Sequence, residues 1–128
     1  MITVNDIIKT IETLAPKHYA ESWDNVGLMV GTVGGIVNKV ITTLDITPEV
    51  IDFAIHEKAQ LIISHHPFIF KGLKSINLDS VQGSMIERLI KHNIAVYSAH
   101  TNLDIADGGL NDMLARRLGL QDIRGFVP

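Results

Sequence analysis

His65 and His66 stand side by side, followed by Pro67, where the apolar run LIIS (61–64) gives out. A third histidine, His100, closes a second run, IAVYSA (94–99), with Asp104 four residues beyond it. Asp45 closes a third, VITTL (40–44). Imidazole and carboxylate are nitrogen and oxygen donors suited to zinc, iron or manganese. The chain has no cysteine, which excludes thiolate ligands, disulfides and cysteine nucleophiles. Successive side chains on extended backbone point apart, so adjacent histidines are expected to serve two ions rather than chelate one. Pro67 biases His66 toward that extended backbone. Asp104 is expected to complete one ion's shell or to bridge both. Two ions about 3.5–4 Å apart would activate a water and stabilise charge on the attacked group.

A plainer reading stands beside this one: paired histidines also cap strands or hydrogen-bond a carbonyl. His100 and Asp104 at the end of the next strand favour the metal, because a parallel sheet converges its strand ends. Asp45 has two readings, a residue that orients a histidine or a turn residue before a helix at Thr47. His56 and His92 fall on a helix and near a helix C-terminus and are expected at the surface, and His18 has no comparable setting. Lys71 and Lys74 would either hold a phosphate above the site or sit in a solvated loop. Trp23, the only tryptophan, reads as core or interface.

The elements that must carry these groups follow from periodicity. Ile7, Ile8, Ile11 and Leu14 mark a helix over 3–15, with Thr3 and Asp6 at its start and Pro16 beyond. A short strand is expected within VGLMVG (26–31), between loops. VITTLDI reads as a strand, and Thr47-Pro48 as the cap and first residue of a helix with Val50, Ile51, Ala54 and Ile55 on one stripe. AQLIIS is continuous apolar sequence, as in a strand covered on both faces, ended by Pro67. Asp79 and Gln82 resemble a capping box for a helix through Val81, Met85, Ile86, Leu89 and Ile90 to about Asn93. IAVYSAH is a strand, TNLDIADGG a polar loop, and Leu110, Met113, Leu114 and Leu118 a last helix stopped at Gly119. This alternation predicts a single α/β domain over 1–128, with at least three parallel strands and flanking helices.

Composition narrows the function classes. With 46% apolar and 20% charged residues the chain is expected to fold. A net charge of -3 without a basic run gives no reason to bind nucleic acid or an anionic membrane. No apolar stretch is long enough to span a bilayer and the N-terminus does not read as a signal, so a cytoplasmic protein is expected.

ESWDNVGLMVG (21–31), IISHHPFIFKG (62–72) and SAHTNLD (98–104), in that order, closely resemble the N-terminal signatures of the Nif-three-like family of GTP cyclohydrolase 1 type 2 homologues. The resemblance covers nearly all of the chain. It implies a Nif-three-like N-terminal lobe with a dinuclear centre of two divalent ions, in homo-oligomers that form hexameric rings. His65 and His66 match the family's histidine pair and Asp104 its metal-binding aspartate. His100 matches a pocket histidine, a candidate catalytic proton-transfer group, and Trp23, Asp24 and Asn25 match a motif beside the site. The implied activity is ring-opening hydrolysis of GTP, a nucleotide substrate, by a metal-dependent hydrolase. A two-metal phosphoesterase and a non-enzymatic metal-binding scaffold or regulatory interaction protein are the alternatives. Family members run well past this length and supply a further histidine and glutamate, so residues 1–128 are expected to be the N-terminal portion of a longer chain, with an exposed strand edge.

Overall fold

The structure, a computed structural model, describes residues 1–125. Helix α1 (Val4–Leu14) begins where the Thr3 side chain caps the Asp6 N–H and the Asp6 carboxylate accepts the Thr3 N–H at 2.8 Å. After a 3-10 turn at Lys17–Tyr19 come β1 (Gly27–Val30), β2 (Val40–Thr43), α2 (Pro48–His56), β3 (Leu61–Ser64), α3 (Val81–Lys91), β4 (Ala95–Ser98), α4 (Thr101–Ile105) and α5 (Leu110–Arg117). The four strands form one sheet in the order β1-β4-β3-β2. β2, β3 and β4 run parallel, and β1 is antiparallel to β4.

Alternation along the central strands divides the core. Leu61, Ala95 and Tyr97 pack on Val4 and Ile8 of α1, while Ile62 and Val96 pack on Ile51 and Ala54 of α2 and Leu89 of α3. Both faces are covered, which is why β3 and β4 read as unbroken apolar runs. Register does the positioning: Thr43 pairs with Ser64 and Ser64 with Ser98, so three strands end level at one rim. Because β1 runs the other way, its first residue Gly27 pairs with Ser98, and Trp23-Asp24-Asn25 arrives at the same rim from the opposite direction.

Two expectations are corrected. The cap of α3 is Ser80, not Asp79: the Asp79 N–H bonds to Asn77 Oδ1 at 3.0 Å, and this turn hands the cap to Ser80, whose Oγ accepts the Gly83 N–H at 3.0 Å. Residues 101–105 are a short helix, not part of a loop, since Asn102 folds back to accept the His100 N–H at 2.9 Å and is fully buried. The last helix forms as expected, as α5, with Leu110, Met113 and Leu114 facing solvent and no residue of α5 buried. Among the described residues no helix is long and apolar enough to cross a membrane.

Candidate metal centre

Each rim histidine has its Nδ1 committed. His65 Nδ1 lies 3.0 Å from the Ala99 carbonyl, His66 Nδ1 2.7 Å from Asp45 Oδ1, and His100 Nδ1 3.0 Å from Asp24 Oδ1. A carbonyl or carboxylate oxygen only accepts, so each Nδ1 carries a proton, and Nε2 is the nitrogen left to offer a lone pair. This is how protein metal sites hold their histidines. One ring nitrogen from each of the three converges with the others to within 4.8 Å.

Asp104 joins the cluster through His65, whose Nε2 lies 3.5 Å from Asp104 Oδ1. Two lone-pair donors facing one another repel unless a proton or a metal cation lies between them. A zinc-like tetrahedral ion with donors at about 2.1 Å would separate two of its ligands by about 3.4 Å. The donor set therefore fits a divalent ion at His65 and Asp104.

The adjacent histidines depart from the splayed pair that strand geometry predicts. Their ring centroids lie 5.5 Å apart with planes tilted by 41°, and both rings approach His100. The reason is local: β3 ends at Ser64 and residues 65–66 lie in a bend, where strand alternation no longer governs. Asp45 orients His66, one of the two readings open from sequence. The plainer reading of the pair is met in part too, since His65 does bond a carbonyl.

Asp24 does more than sequence reasoning assigned to it. Its side chain is 0% exposed. Burial opposes its ionisation, but hydrogen bonds from the Thr101 hydroxyl, His100, and the N–H groups of Thr101 and Asn25 prevail and hold its pKa at about 2. His100 therefore leans on a carboxylate that stays charged at any pH where an imidazole titrates.

Two buried serines also escaped the sequence reading. Ser64 Oγ donates to the His66 carbonyl and lies 2.9 Å from Ser98 Oγ, which accepts the Phe68 N–H at 3.4 Å. Since Ser64 spends its proton on His66, Ser98 must donate to Ser64. The relay fixes the 66–68 backbone from beneath. Its signal was a serine ending each central apolar run. His56 and His92 are exposed, as are Lys71 and Lys74 in a fully exposed loop. The large apolar groove of about 410 Å³ lies at the opposite end of the sheet, among Val4, Ile36, Leu89 and Ala95, and has no titratable lining.

Comparison with known proteins identifies the family. The sequence profile described as Duf34/NIF3 (NGG1p interacting factor 3) matches residues 2–128. A Bacillus subtilis protein named GTP cyclohydrolase 1 type 2 homolog is 48% identical over 122 residues, covering 95% of this chain and 33% of the relative. The crystal structure of a Bacillus cereus protein related to NIF3 superposes with a TM-score of 0.92 at 46% identity, over 99% of this chain and 35% of the other. Reduced HcgD from Methanocaldococcus jannaschii gives 0.89 at 35% identity, over 96% and 49%. The chain thus spans about a third of the length of the two bacillar relatives.

Proposed function

This chain belongs to the Duf34/NIF3 (NGG1p interacting factor 3) family, and from that premise we propose that it is the metal-binding portion of a divalent-metal-dependent hydrolase that opens the guanine ring of GTP. The observation that carries the metal is the pairing of His65 Nε2 with Asp104 Oδ1 while His65 Nδ1 is held by the Ala99 carbonyl. The substrate class is taken from the name its relatives bear, GTP cyclohydrolase 1 type 2 homolog.

His65, His66 and Asp104 hold the ions, two per site, with zinc, iron and manganese the candidates. When bound, such ions supply Lewis acidity and make water acidic enough to act as a nucleophile near neutral pH. The remaining work falls to the rim. His100 takes and returns the proton at Nε2 while Asp24 holds Nδ1–H, fixes the tautomer and stabilises the transient imidazolium. Water adds at the imidazole carbon of guanine and opens the ring to a formamide, a second water releases formate, and the freed amine condenses with the rearranged ribose, losing one water, to close a dihydropterin triphosphate. A homo-hexamer is part of this reading, with the open apolar face of α5 a candidate contact between copies.

The test is formate release from GTP by protein reloaded with each metal in turn. His100→Gln is expected to keep its metal and lose turnover. Metal loss in that variant would make His100 a ligand, and absence of formate from every metal form would end the cyclohydrolase reading.

A further inference from the structure

Beside the histidines stand two aromatic rings that the core does not account for. Trp23 is 60% exposed and Phe70 46% exposed. Trp23 meets Phe70 at 6.2 Å and 71°, and His100 at 6.4 Å and 77°, edge to face in both cases. Large rings left this open are ordinarily loose, yet both sit on fixed backbone. Asp24, the next residue after Trp23, is tied to Thr101 and His100. Asn25 Nδ2–H donates to the Ile69 carbonyl at 2.5 Å, immediately before Phe70. One tripeptide thus presents a ring, orients the rim histidine and anchors the loop that presents the second ring.

We propose that Trp23 and Phe70 form a stacking subsite for a planar heteroaromatic ring, a purine base, beside His100. Exposed aromatic faces held in place are what bases stack upon, and such stacking tolerates different bases because every base offers a π face. The choice of a purine rests on the proposed action on GTP; the stacking itself does not. Asn25 is a positioning residue, acting on the base through Phe70.

Because Trp23 is the only tryptophan, its fluorescence reports on the subsite directly. Metal-depleted full chain, excited at the red edge, is titrated with guanosine, guanosine monophosphate and tripolyphosphate. Saturable quenching by both guanine compounds and none by tripolyphosphate is expected. Phe70→Ala, folded by circular dichroism, should raise the apparent Kd at least about fivefold, with Asn25→Ala giving a smaller rise and Phe70→Tyr restoring the parent value. Linear quenching that matches free N-acetyltryptophanamide would overturn the proposal, as would saturable quenching indifferent to Phe70→Ala. A Trp23 emission already blue-shifted and closed to acrylamide would assign the ring to a contact between copies and overturn it too. Formate release separates this from the hydrolase reading: saturable quenching without formate keeps the subsite and discards the cyclohydrolase.

Discussion

At the scale of single residues, function at the rim depends on which nitrogen of each imidazole carries the proton. Asp24 makes that choice for His100. Its lowered pKa, from 3.8 to about 2, corresponds to a stabilisation on the order of 2 kcal/mol for the charged form. Asp24→Asn is expected to lower the unfolding free energy by about that amount and turnover by far more, because an amide no longer selects the tautomer. Equal effects on both, measured by urea titration and formate release, would reduce Asp24 to a structural residue. Tyr97 gives the pH dependence. Its hydroxyl is buried and donates to Glu12 at 3.1 Å, and burial with the nearby Glu12 charge pushes its pKa well above 10.0. A raised folded pKa means that the stability Tyr97 contributes is complete below about pH 10 and declines above it, by about 1.4 kcal/mol per pH unit. The melting temperature should therefore drop more steeply from pH 9 to pH 11 in the parent than in Tyr97→Phe; parallel drops would contradict the assignment.

Among elements, the sequence disclosed what has a strong local cause. Thr3 and Asp6, Thr47 and Pro48, and the unbroken runs before Ser64 and Ser98 each announce a cap or a doubly covered strand, and all appear where expected. His65 and His66 were legible as metal candidates for the same reason, since they follow the end of β3, and Asp104 by its place four residues past His100. What escaped depends on contacts distant in sequence. Nothing in GLMV says that β1 runs antiparallel, so the bond from Asp24 to His100, 76 positions away, had no local sign. The shift of the α3 cap has a local cause instead, a turn in which Asn77 Oδ1 takes the Asp79 N–H two residues on. Gly83 tests it. Alanine inside a helix normally gains about 1 kcal/mol over glycine, but here a Cβ would fall 1.8 Å from the Asn77 carbonyl oxygen. Gly83→Ala should destabilise the fold and loosen the loop that carries Phe70; a higher melting temperature would show that the turn does not press on the helix.

For the molecule as a whole, three parallel strands and one antiparallel strand bring groups from four separate segments to one rim, and the central claim is that this rim holds divalent metal. Elsewhere the surface is less finished. Leu110, Met113 and Leu114 lie open on α5, and an apolar helix face of this kind favours association in water. Sedimentation should show the parent as an oligomer and Met113→Lys/Leu114→Lys shifted toward monomer, whereas a monomeric parent would remove the support that α5 lends to assembly. The most direct measurement of the central claim is elemental analysis after exhaustive dialysis against trace zinc, iron and manganese, on the parent and on His65→Ala. Stoichiometric metal in the parent, sharply lowered in the variant, is the predicted result. Background metal in both, or equal retention in both, would contradict it.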